Sequence, residues 1–171
     1  QLYADYEEFM PMFVEGILQL PIEDTAYFCE MYARFLTDTM MGFAQTNAKA
    51  QAMFADVDSL QEALNMGFSR LHYLYPEWEI PTLYTFVSGF NSSVMYHENI
   101  IGVGIDMYLG NDYPYYNQVV YDYQKYTMRK ACVAGDVLSI YMAYNMPFNS
   151  KYNRLLEQMI FRGKRLFLLA Q

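Results

Sequence analysis

Histidine and cysteine each occur only twice in the 171 residues, and tryptophan once. Cys29, Cys132, His72 and His97 are widely separated, and a structural zinc site needs four ligands in a compact pattern, so no metal centre is expected. Both cysteines sit in apolar helical patterns and read as buried thiols, with a bridge in an oxidising compartment as the alternative. Charge is sparse at 18% of residues. No apolar run reaches the ~20 residues that cross a bilayer. Lys and Arg number 11 against 19 Asp and Glu, and a net charge of −8 argues against nucleic acid, whose phosphates demand a basic face. The deficit is uneven: residues 1–122 hold 17 acids and 3 bases, whereas residues 123–171 hold 2 acids and 8 bases. Gln1 follows no signal peptide or lipidation motif, and residues 165–171 stop inside an apolar helical pattern without a cap. A piece of a longer protein is the expectation.

What is abundant is apolar and aromatic surface. Hydrophobic residues make up 54% of the chain, including 18 Tyr, 12 Phe and 13 Met, which suffices for one core and excludes disorder. We read a single α+β domain over residues 1–171: helices over 1–75, antiparallel strands over 82–106 and helices over 112–171. Pro11 divides Leu2–Met10 from a short helix Met12–Leu20. Asp24 caps a helix whose stripe runs Phe28, Met31, Phe35 and Phe43. Asp58 and Gln61 resemble a capping box, and Leu60, Leu64, Phe68 and Leu71 recur at helical spacing behind them. Pro76 and Pro81 bracket a turn around Trp78.

The β-branched and aromatic runs Thr82–Phe90, Val94–His97 and Ile100–Ile105 are separated by turns at Asn91-Ser92-Ser93 and Glu98-Asn99. They predict a small three-stranded antiparallel meander. Gly102 and Gly104 leave bare backbone in its last strand, for a bulge or for close packing by a helix. Asp112 before Tyr113-Pro114 suits a capped helix start. Further helices are expected over about Arg129–Tyr144, ending near Pro147, and from Lys151 onward.

Tests for chemistry return little. His97-Glu98 begins a zinc-peptidase pattern, but the second histidine it requires is replaced by Ile101, and the pair reads as hairpin surface. Ser92, Ser93 and Ser139 lack a nucleophile elbow, and Gly102-Val103-Gly104 opens no helix that could cradle phosphate. Asp106 and Asp112 flank a glycine turn at Gly110. Two converging carboxylates there could hold a cation or do acid–base work; the structural reading is that Asp106 ends a strand and Asp112 caps a helix. Tyr108, Tyr113, Tyr115, Tyr116, Tyr121, Tyr123 and Tyr126 crowd one stretch, either as an exposed strip for a partner or glycan or as core rings with hydroxyls at the surface. In the last helix Leu155, Leu156, Met159, Ile160, Gly163, Leu166, Phe167 and Ala170 form an apolar stripe beside Lys151, Arg154, Arg162 and Arg165. Packing on the chain's own acidic body is expected there, over a membrane surface.

Two segments resemble a known family. Residues 101–116, with the block Asp106-Met107-Tyr108-Leu109-Gly110-Asn111-Asp112-Tyr113-Pro114, are similar to the hallmark stretch of the gliding-motility-associated lipoprotein B (GldB) family. Residues 155–167, with Arg162-Gly163-Lys164, are similar to that family's later helix. The resemblance implies a bacterial envelope lipoprotein facing the periplasm, tethered through an N-terminal lipidated cysteine that neither Cys29 nor Cys132 provides. It also implies a further region beyond the last helix. It implies no established enzymatic activity and no cofactor. A remote likeness to zinc-peptidase folds is plausible, but the helix that would carry the zinc motif holds Glu157, Gln158 and Arg162 and no histidine.

The expected function is therefore non-catalytic: docking of an envelope protein through the Tyr-rich turn region of Asp106, Tyr108, Gly110, Asp112, Tyr113, Pro114 and Tyr115, or through the surface completed by the further C-terminal region, with Gly163 and Lys164 as further motif residues. Tyr113 and Tyr115 are expected to be exposed. The alternatives are a degenerate zincin-like or other hydrolase built on Asp106 and Asp112, and a glycan-binding module built on the tyrosines.

Overall fold

Alternating apolar residues can cover one face of a sheet, but a strand apolar throughout has to be covered on both. Ile100–Gly104 is such a strand, and it lies at the centre of the fold with all five residues buried. The computed structural model describes residues 6–18, 25–39, 42–148, 151 and 154–170. The expected Asp24 cap and the start of the helix Leu2–Met10 lie outside these.

The sheet comprises β1 (Thr82–Phe86), β2 (Val94–His97) and β3 (Ile100–Gly104), in the order β1-β3-β2. β2 and β3 form the expected hairpin. Its two-residue turn places Glu98 at φ 44° and Asn99 at φ 66°, the left-handed pair whose twist suits a tight hairpin. β1, however, pairs parallel with β3, in the register Thr82↔Ile100 to Phe86↔Gly104. The sheet is mixed, and the antiparallel meander is corrected. The meander assumed that consecutive strands pair; instead the segment 87–93 carries the chain past the place of β3, which the hairpin then fills.

Each face of β3 has its own cover. Ile101 and Val103 join a core with Leu60, Leu64, Phe68 and Leu71 of α3 (Asp58–Leu74) and Val133, Val137, Tyr141 and Met142 of α5 (Val133–Asn145). Ile100, on the other face, joins Phe86, Phe28 and a single π-helical stretch, Met12–Ile17, which buries Met12, Phe13, Val14 and Ile17 after Pro11. A Cβ at Gly102 would meet Met12, Phe86 and Phe9, so the close packing expected at this glycine is present. Gly104 is tighter still: its Cβ would run into the Ser92 carbonyl.

Before the sheet, α1 (Thr25–Thr37) and α2 (Phe43–Met53) pack on each other. Of the expected α1 stripe, Phe28 is buried and Phe35 half-buried, but Met31 faces solvent. The capping box at Asp58 is also corrected. Val57 is the cap residue of α3, its carbonyl accepting from Gln61 N, while Asp56 Oδ1 accepts the Asp58 amide. After the sheet come a short helix α4 (Tyr116–Val119), α5 and α6 (Leu155–Leu169). Cys29 is exposed and Cys132 half-buried, both as free thiols, which corrects the pair of buried thiols.

Candidate functional site

The block 105–116 leaves β3 as a 3-10 turn, Ile105–Tyr108, which aims Asp106 back at the segment following β1. Asp106 has no exposed surface. Its Oδ1 accepts the Ser88 amide at 2.8 Å, and its Oδ2 accepts the Ser88 hydroxyl at 3.0 Å and the Phe90 amide at 2.7 Å. Those donors converge because Gly89 and Phe90 both take left-handed backbone, φ 70° and 64°. Burial pushes the Asp106 carboxyl above the usual carboxylate range, while the Ser88 and Phe90 hydrogen bonds pull it down.

The tyrosines of the block point inward with it. Tyr116 Oη donates to the Asp106 carbonyl at 2.7 Å and accepts the Leu109 amide at 2.9 Å. Tyr108 Oη donates to Asp136 Oδ2 of α5 at 2.9 Å, and burial holds both groups above their ordinary values. Tyr113 bonds Thr46 of α2 at 2.7 Å beneath the Lys49 ammonium.

The expectation of an exposed Tyr113 and Tyr115 is corrected. Tyr113 is only 6% exposed, and Tyr115 is half-buried over Gly42, where a Cβ would collide with its hydroxyl. Asp112 and Pro114 are exposed, and α4 begins only at Tyr116 without a side-chain cap, so Asp112 does not cap it. Gly110 adopts φ 107°, as a turn glycine should. Asp106 and Asp112 do not converge: one is sealed by the 88–90 segment, the other faces water. The block joins β1, β3, α2 and α5, with Tyr108, Tyr113 and Tyr116 turned into the core. The tyrosines that do face solvent follow it: Tyr121, Tyr123 and Tyr126.

The last helix is the other candidate, and the expectation that its apolar stripe packs on the chain's own body is corrected. α6 rests on the body through its mixed face. Phe161 packs on Phe148, Leu168 and Leu169 reach the core, and Arg165 Nη2 donates to the Ser139 carbonyl at 2.6 Å. Its apolar stripe points away: Leu155, Leu156, Met159, Ile160, Leu166 and Phe167 are 51–75% exposed. Arg162 and Lys164 edge this stripe and reach no carboxylate among the described residues. A Cβ on Gly163 would meet no atom of the described residues within 4 Å. Gly163, Lys164, Phe167 and Leu168 line an apolar groove of about 400 Å³ with Tyr75 and Met146.

The family model for the gliding motility protein GldB matches residues 1–171. The chain belongs to the GldB family. No curated protein and no solved structure matches it. Membership places this GldB chain among gliding-motility lipoproteins and associates it with the cell envelope. No helix among the described residues is long and apolar enough to cross a membrane, and no group of three His, Cys, Asp or Glu among them could hold a metal. His97 and Glu98 lie at the exposed hairpin, as expected, 3.8 Å apart. Two features escaped sequence reasoning: the Asp136 partner of Tyr108, and a cavity beside β1. Neither carries a local motif, because each is assembled from segments far apart in the chain.

Proposed function

We propose that this chain is a non-catalytic, periplasm-facing domain of an envelope lipoprotein that acts by docking another envelope protein on the outward face of α6. The carrying observation is that face: six large apolar side chains left in water on one ordered helix. Patches of this kind on soluble domains mark interaction sites. The occupant we assign is an amphipathic helix of the partner, its apolar stripe edged by carboxylates, which would complement Arg162 and Lys164. Gly163 supports a protein occupant over a lipid surface. A helix-interior glycine costs about 1 kcal/mol relative to alanine, and nothing among the described residues fills the space it leaves. A partner backbone crossing closely does.

The test is a photo-crosslinking amino acid at Leu166, or at exposed Gln118 as control, in the full-length protein in its native envelope. A discrete protein adduct from Leu166 alone, lowered about tenfold by Arg162→Glu with Lys164→Glu and by Gly163→Leu, is expected. No adduct, or binding strengthened by Gly163→Leu as an apolar membrane contact would be, overturns the reading.

A second reading rests on Tyr121 and Tyr123, whose exposed rings lie within 9° of parallel at 5.9 Å. Such rings can stack on sugar faces. A silent glycan array ends that reading.

A further inference from the structure

β1 is an edge strand, and the direction of its backbone groups follows from two hydrogen bonds. Thr82 N donates to the Asn99 carbonyl, toward β3. N–H and C=O of one residue point to the same side of a strand, and neighbours alternate. Thr82, Tyr84 and Phe86 therefore turn their backbone groups to β3, whereas Leu83, Thr85 and Val87 turn theirs outward. The Val87 carbonyl confirms the parity, since it accepts the Tyr32 hydroxyl of α1 at 3.3 Å. Outside the β1–β3 ladder, the amides and carbonyls of Leu83 and Thr85 have no partner among the described residues.

These groups open onto a cavity of about 390 Å³ between β1, α1, α2 and the segment before the π-helical stretch. Its volume falls within the roughly 300–1,000 Å³ of ligand sites. Asn47 and Gln51, one turn apart on α2, line it together with Leu83 and Thr85. Its aromatic wall holds Tyr6, Phe9 and Tyr84, with Phe9 stacked on Tyr84 at 4.9 Å. No charged side chain among the described residues lines it.

We propose that this cavity binds an extended, uncharged peptide segment, which pairs with β1 as a fourth strand of the sheet. A row of outward backbone donors and acceptors recognises a strand and little else. The Leu83–Thr85 span corresponds to about 10 Å of strand, so a segment of three to five residues suffices. Asn47 and Gln51 would take the hydrogen bonds on its far side, and the rings would receive alternate apolar side chains. The described lining, apolar and amide-bearing, favours neutral side chains over Asp, Glu, Lys and Arg, which would lose hydration against it. The site shares no residue with the face of α6 and stands whether or not that face docks a protein.

The experiment is a selection from a library of neutral pentapeptides against the full chain, followed by titration of the best sequence with amide chemical shifts as readout. Saturable shifts at Leu83 and Thr85 are expected, with slowed hydrogen exchange at both amides. N-methylation of alternate peptide nitrogens, which removes donors and keeps side chains, should weaken binding at least about tenfold in the register that faces β1. Thr85→Pro, tolerable on an edge strand, should weaken it similarly with an unchanged circular dichroism spectrum; Asn47→Leu with Gln51→Leu is the second variant should proline disturb the fold. No saturable binder, shifts confined to other residues, or equal binding in every N-methylated register overturns the proposal.

Discussion

Replacing Asp106 by alanine removes the acceptor for three donors at once: the Ser88 amide, the Ser88 hydroxyl and the Phe90 amide. The site is wholly buried, so water cannot freely take the place of the carboxylate. A buried donor left without its acceptor costs about 1–3 kcal/mol, so two orphaned amides and a hydroxyl together make a loss of about 3–5 kcal/mol the expectation. For a chain of this length each kcal/mol lowers the melting temperature by about 2–4 °C, so a fall of roughly 6–20 °C is expected. Asp106→Asn keeps one acceptor oxygen but turns its amide nitrogen toward the remaining donors, for a smaller loss of about 1–3 kcal/mol.

The two variants separate the hydrogen-bond role from the charge. Because burial raises the Asp106 carboxyl in the fold, the protonation-linked part of its contribution is fully present below the unfolded value of about 3.9 and is lost as pH rises through the higher folded value, while the hydrogen bonds themselves remain. The advantage of the natural chain over Asp106→Asn should therefore be largest in acid and shrink toward neutrality. Urea midpoints for the three proteins across that range measure both effects. A loss below about 1 kcal/mol for Asp106→Ala at neutral pH, in the range of ordinary surface substitutions, would refute the assignment of Asp106 as the anchor of the 88–90 segment.

Two further predictions use the glycines and the buried phenols. Gly104→Ala forces a Cβ onto the Ser92 backbone and should destabilise by about 1–3 kcal/mol, whereas Gly163→Ala, with open space around it, should stabilise by up to about 1 kcal/mol; paired thermal melts compare them. Burial pushes Tyr32 up to about 12 and raises Tyr108 and Tyr116 as well. Raised values mean stability that is present below the ordinary phenol value of about 10 and lost as pH climbs past it. Ultraviolet titration should show these three phenols ionising only as the fold opens; their ionisation while the circular dichroism spectrum is still native would contradict their burial.

Much of the local structure was legible without coordinates. The spacing of Leu60, Leu64, Phe68 and Leu71 marks a helix whose buried face is those four residues. Glu98-Asn99 marks the hairpin turn, and the block around Asp106 carries the family resemblance. These depend on neighbours within a turn or two, which a linear pattern records.

Three matters depended on which distant segments meet. β1 and β3 pair in parallel, with the intervening 88–90 segment held by Asp106, a residue 16 to 18 positions further on, and no propensity encodes strand order. Tyr113 is buried because Thr46, 67 positions earlier, supplies a partner for its hydroxyl. The apolar stripe of α6 faces outward although its periodicity matches that of a core helix. Periodicity identifies an apolar face, but only the arrangement of the other elements determines whether anything covers it.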